Sequence, residues 1–175
     1  MARLFCLILL MLLALGGCAR QEPVVRSFLT TGYCPCGECN GYDTGSWYFL
    51  YLDRWNKRIN YGAHQGERYT GKTAGGHSLQ SPRPGLFSAD SFRHPWRVPY
   101  RLVLPHLWVP RRGTIAADTV YYPLGTKMKV EGWGKGIVDD RGGAIKGPDR
   151  LDLFFSSHSK CNAWGRRRVN VQIED

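Results

Sequence analysis

The 175-residue sequence predicts a single, mainly-β domain closed into a barrel, preceded by an export segment. Three observations carry that prediction. Short apolar runs recur from Ile115 onward with turn residues between them, at Lys127–Glu131, Gly136–Val138, Leu151–Phe155 and Val169–Ile173. Two of them, Met128-Lys129-Val130 and Val169-Asn170-Val171-Gln172-Ile173, alternate apolar and polar side chains as half-buried strands do. Only Ser157–Gly165 reads as a helix, with Ser157 or Ser159 as its N-cap. Short, closely spaced strands with one small helix suit a closed barrel.

The chain opens with a lone Arg3 and an apolar run from Leu4 to Leu15, too short for an ordinary spanning helix and fitting a signal-peptide core. Residues 1–17 are therefore read as a leader. Its ending, Leu15-Gly16-Gly17-Cys18, resembles the bacterial lipobox, which implies cleavage before Cys18 and lipid on that cysteine; the alternative is a plain signal peptide with an incidental cysteine. Acyl chains, at about 0.8 kcal/mol per buried methylene, anchor a protein firmly to a membrane. Ala19 after the cysteine resembles sorting to the periplasmic face of an outer membrane. The formal charge of +10 falls to +9 without Arg3. A basic exported protein meets anionic cell wall or lipid headgroups. Export makes nucleic acid the poorest fit.

Cys6 leaves with the leader, so four unlipidated cysteines remain: Cys34, Cys36, Cys39 and Cys161. An even number in an oxidising compartment predicts disulfides, one short link within the Cys34-Pro35-Cys36-Gly37-Glu38-Cys39 turn and one long link to Cys161. The long link would contribute about 3–5 kcal/mol in the chain-entropy model. A four-thiolate zinc site is the rival, although the spacing departs from paired Cys-x-x-Cys knuckles.

Residues 18–26 read as a tether, Phe28–Tyr33 as the first strand and Trp47–Leu52 as another β-rich run. Asp53–Thr70 interleaves basic and aromatic residues; such a stretch either stacks on sugar rings or is a solvated loop. Gly75–Arg112 carries six prolines and scattered aromatics without a period, and is expected to be an ordered excursion beside the binding groove. His77, His94 and His106 lie there without metal-ligand spacing.

The most informative stretch is Gly113–Phe155. Asp118 closes the run Thr114-Ile115-Ala116-Ala117, Asp140 ends the apolar pair Ile137-Val138 before a Gly-Gly turn, and Asp152 sits between Leu151 and Leu153. Acids within apolar, strand-like runs are candidates for partial burial, which raises a carboxyl pKa toward the proton-donor range. The loop Gly142-Gly143-Ala144-Ile145-Lys146-Gly147 permits close approach of a ligand to the backbone, but its spacing is not that of a nucleotide-binding P-loop.

The elements Gly-Thr-Ile-Ala-Ala-Asp (113–118), Pro-Leu-Gly-Thr (123–126), Gly-Gly-Ala-Ile-Lys-Gly (142–147), Leu-Asp-Leu-Phe-Phe (151–155), Ser157-His158 and Trp-Gly-Arg-Arg (164–167) together resemble the three-aspartate (3D) domain family. That family includes the catalytic barrel of membrane-bound lytic transglycosylase A and resuscitation-type cell-wall proteins. Thr73-Ala74-Gly75 is similar to a further family segment. The resemblance implies a six-stranded double-psi β-barrel interrupted by the 75–112 insertion. It implies a peptidoglycan lytic transglycosylase that cleaves the MurNAc-β-1,4-GlcNAc bond and leaves a 1,6-anhydroMurNAc end. By motif position Asp152 is the acid, with Asp140 and Asp118 in support; Gly142, Gly143, Lys146 and Thr73 contact the sugar. His158 matches a family position as a hydrogen-bonded support. No cofactor is implied. Two other readings remain on these residues: a cell-wall-binding lipoprotein without turnover, and a hydrolytic or expansin-like wall-loosening protein.

Overall fold

The computed structural model describes residues 24–46 and 53–174. The leader at 1–17, Cys18 and the expected strand at Trp47–Leu52 lie outside the described residues.

The elements in order are β1 (Val25–Tyr33), α1 (Gly37–Asn40), β2 (Tyr42–Thr44), β3 (Lys57–Ile59), α2 (Ala89–Arg93), α3 (Val98–Val103), β4 (Gly113–Ala117), β5 (Lys127–Val130), β6 (Gly134–Asp140), β7 (Arg150–Phe154), α4 (His158–Trp164) and β8 (Arg167–Glu174). Six strands close a barrel in the order β1-β7-β4-β6-β5-β8, with β8 returning antiparallel to β1. Two neighbouring pairs, β1/β7 and β4/β6, run parallel and the rest antiparallel, in keeping with the expected double-psi barrel.

The barrel closes because every strand offers one apolar face. Phe28, Ile115, Met128, Val138, Leu151, Leu153 and Val171 are fully buried in one interior cluster. Burying side chains of this kind stabilises a fold by roughly 1.5–3 kcal/mol each. The first strand starts at Val25, inside the range read as a tether, and pairs from there with β8.

The expected helix forms as α4, capped by the Ser157 hydroxyl, which accepts from the Lys160 amide. The Trp164 indole of α4 donates to Thr30 Oγ1 at 3.2 Å and fixes the helix against β1. The expectation of one helix is corrected by three more short ones. Two belong to the 75–112 insertion, and the reason they escape a periodicity search is a buried cation. Arg101 of α3 donates to Ser91 Oγ at 2.6 Å, pairs with Asp90 of α2, and its carbonyl accepts from the Trp108 indole at 2.9 Å. The insertion is clamped at its base by reciprocal backbone bonds between Arg83 and Arg111 of 2.9 and 2.8 Å. Nor is 53–70 only a solvated loop: β3 pairs with β2, and Tyr69 stacks on Tyr42 with ring centroids 4.5 Å apart.

Candidate functional site

Strand alternation sets the site on the outer wall of the barrel. Leu151 and Leu153 of β7 enter the core, so Asp152 and Phe154 between and beyond them point the other way. The leucines that bracket Asp152 in sequence therefore do not surround its carboxyl. Its surroundings come from neighbouring strands. In the sheet register Thr31 of β1 lies opposite Asp152 on one side, and Ala116 of β4 on the other. Ala116 in turn lies opposite Asp140 of β6. The row Thr31, Asp152, Ala116, Asp140 thus crosses four strands, and two strand spacings put the acids' backbones on the order of 10 Å apart. Ala116 contributes only a methyl between them.

A bulge makes this row. The β4/β6 register shifts between Ile115 and Ala116, so that Ile115 faces Val138 but Ala116 faces Asp140, and Asp139 is the extra residue. Without that shift Asp139 would stand beside Ala116. Asp139 instead turns to Thr73, whose hydroxyl donates to Oδ2 at 2.7 Å, and to His77, whose Nδ1 lies 2.9 Å from Oδ1. Gly75 donates its amide to the Asp139 carbonyl at 2.9 Å, and a Cβ at Gly75 would collide with the Asp139 carboxylate, which requires glycine there.

Each acid is held differently. Asp152 Oδ1 accepts from the Thr31 hydroxyl at 2.9 Å. Burial pushes its carboxyl above the usual range; the Thr31 bond opposes this, and the Asp140 charge adds to it. Asp140 accepts from the Tyr33 hydroxyl at 3.2 Å, the Ala74 amide at 3.0 Å and the Arg141 amide at 2.9 Å. Tyr33 is itself buried against Phe154 in a T-shaped contact at 5.4 Å, and burial raises its phenol far above its ordinary value, so it remains a donor. Asp118 is a loop fastener: its carboxylate accepts from the Gly147 amide at 2.9 Å and the Val120 amide at 3.1 Å. Those two amides, with the Lys146 charge, lower its pKa.

The remaining sequence-predicted residues divide. Gly143 and Lys146 are exposed on the loop that leaves Asp140, and Ile145, buried beneath it, packs against Gly142. Thr73, read as a sugar contact, is buried, and its hydroxyl is engaged with Asp139 and the His77 amide. What its segment offers the site is the Ala74 amide. Thr31, Tyr33 and Asp139 were not singled out in the sequence. The Asp139-Asp140 pair was the one visible signal, and it does not tell which acid faces out. Beside Phe154 opens a cleft of about 430 Å³, lined also by Leu79, Gln80, Tyr69, Lys57 and Arg111.

The expected disulfides are corrected: Cys34, Cys36, Cys39 and Cys161 are all free thiols. Cys34 Sγ lies 3.0 Å from Cys36 Sγ and 3.6 Å from Cys39 Sγ, against about 2.05 Å for a bond. Three of the four gather around His158 instead, and Cys161 is buried on α4 beside Gly32.

Residues 113–174 match the family model described as the 3D domain. The matched stretch is about a third of the chain. It spans β4 to β8 and contains all three aspartates, whereas Thr31, Tyr33 and Ala74 precede it. Over 64 residues the chain is 42% identical to "Putative cell wall shaping protein YabE" of Bacillus subtilis (strain 168), covering 37% of this chain and 16% of that protein. It is likewise 42% identical over 64 residues to "Cell wall-binding protein YocH" of the same organism, covering 37% of this chain and 22% of that one. The chain thus spans under a quarter of the length of these relatives. Among solved structures, MltA from E. coli is similar with 20% identity and a TM-score of 0.29, over 38% of this chain and 25% of that one.

Proposed function

We propose that this protein is a peptidoglycan lytic transglycosylase in which Asp152 serves first as acid and then as base. The observation that carries the reading is the outward row on the barrel wall: a half-buried Asp152 with its carboxyl pushed up, and Asp140 held by three donors two strands away. A protonated Asp152 gives its proton to the glycosidic oxygen as the C1–O bond breaks. The carboxylate left behind takes the proton from the muramic acid C6 hydroxyl, whose oxygen closes onto C1. Protons balance, no water enters, and the new end is 1,6-anhydroMurNAc. Asp140, an acceptor oriented by Tyr33, Ala74 and Arg141, stabilises the positive charge that develops on the ring. The exposed Gly143 backbone and Lys146 contact the sugar or its lactyl carboxylate, and the Phe154 cleft takes neighbouring sugars. Asp118 supports the loop that carries them. The resemblance of the 113–167 motifs to the three-aspartate family supports the same reading. Lipid anchoring through Cys18 at the outer membrane belongs to this proposal.

The test is mass spectrometry of soluble products after the purified chain is incubated with peptidoglycan, with Asp152→Asn alongside. Anhydromuramyl products from the wild type alone are expected. Products with reducing ends instead make the protein a hydrolase. A second reading, a wall-binding protein without turnover, is favoured by the description of one relative as cell wall-binding. It predicts glycan binding by both proteins and products from neither.

A further inference from the structure

We propose that Cys34, Cys36, Cys39 and His158 form a tetrahedral Cys₃His zinc site that pins the end of β1 to α4. One ligand atom from each of these residues lies within 4.8 Å of every other. His158 Nδ1 is 3.6 Å from Cys34 Sγ, 3.4 Å from Cys36 Sγ and 3.7 Å from Cys39 Sγ. A single ring nitrogen has one proton or one lone pair and cannot satisfy three thiols by hydrogen bonding. A common centre can. With Zn–S of about 2.3 Å and Zn–N of about 2.0–2.1 Å, a tetrahedron has S···N edges of about 3.6 Å and S···S edges of about 3.8 Å. The three S···N distances and the Cys34–Cys39 separation of 3.6 Å match those edges, and Cys34–Cys36, at 3.0 Å, would open by about 0.8 Å on binding.

The surroundings hold this arrangement. Asn40 donates to the carbonyls of Cys34 and Cys36, and the Tyr42 hydroxyl donates to the Pro35 carbonyl at 2.6 Å, so the turn carrying three thiols is fixed at both ends. Gly37, inside the turn, passes so near the Tyr42 carbonyl that a Cβ would not fit. On the other side of His158, Nε2 faces Glu38 Oε2 at 3.5 Å. A carboxylate there keeps the ring proton on Nε2 and leaves the Nδ1 lone pair for metal, the usual outer support of a zinc histidine. Thiolate and imidazole in a four-coordinate closed set select zinc in a structural role. On binding, the three thiols release three protons to solvent. Cys34 directly follows Tyr33, so the metal would hold the strand end from which Tyr33 reaches Asp140.

The purified full chain, kept reduced and free of chelator, is assayed for metal content, and the stripped protein is titrated with cobalt(II) alone. Expected are about one zinc per chain and, with cobalt(II), the intense absorption of a tetrahedral thiolate site that zinc displaces. Cys36→Ser abolishes that spectrum, Glu38→Gln weakens zinc affinity about 10- to 100-fold, and Cys161→Ser leaves both unchanged. A wild-type chain without zinc and with only weak, octahedral cobalt absorption overturns the site. Loss of the spectrum in Cys161→Ser but not in His158→Asn overturns the His158 assignment in favour of four thiolates. The wild-type measurements decide even if a variant does not fold.

Discussion

Replacing Asp152 by asparagine should make the protein more stable at neutral pH while removing its activity. Burial raises the carboxyl, so the folded state binds this proton more tightly than the unfolded chain does. A group raised in this way contributes stability that is fully present below its unfolded value, about 3.9, and is lost as pH rises through its folded value. Each pKa unit separating the two states is worth about 1.4 kcal/mol at pH above both. Asparagine keeps the size and can still accept from Thr31 Oγ1, yet it never ionises. The difference in melting temperature between Asp152→Asn and wild type should therefore grow with pH and level off above the folded value. Each kcal/mol is worth about 2–4 °C for a chain of this size. Thermal melts from pH 3 to 8 read the stability, and product analysis from peptidoglycan reads the activity. One residue handles the proton in both halves of the reaction, so the loss should reach at least the upper part of the range for acid–base groups, about 10³–10⁴-fold. An asparagine variant less stable than wild type at pH 7, or one keeping a tenth of the activity, refutes the assignment.

Three further outcomes are expected. Tyr33→Phe removes one donor from Asp140 while keeping the Phe154 contact; it should cost about 1.5–3 kcal/mol by chemical denaturation and lower kcat more than it raises KM. Asp118→Asn should lower the melting temperature at neutral pH. Because the Asp118 pKa is depressed, its contribution is present above the unfolded value and lost as pH falls through the folded one, so the two melts should converge in acid. Arg101→Ala removes the buried partner of Ser91 and of one Asp90 oxygen, with Arg97 and His94 still at the other; a cost of about 1.5–3 kcal/mol confined to the insertion should appear as new proteolytic cleavage between residues 85 and 108, with the barrel resistant.

Strands β5 and β8 were legible in sequence because a period-two pattern by itself declares a buried face. Met128 and Val130 are buried on β5, with Lys127 and Lys129 exposed between them. The same holds for α4, whose Ser157 cap is a local matter. The α2–α3 excursion was not legible, because its organising residue is an arginine, and no hydrophobic period marks a buried cation.

The sequence by itself determined that Asp152 lies in a strand, that Asp140 ends one, and that three cysteines crowd into residues 34–39 with another at 161. It did not determine which way the acids face or what surrounds them. Alternation sends Leu151 and Leu153 inward, so the environment of Asp152 is supplied by Thr31 and Ala116, remote in the chain and adjacent only through sheet register. Whether Asp139 or Asp140 joins that row hangs on one bulge opposite β4, and a bulge is a property of two strands together. The cysteines follow the same logic. Their even count predicts bridges among themselves, whereas the barrel carries α4 to the end of β1 and places His158 among three of them. Periodicity is written in each segment; register and convergence arise only when segments meet.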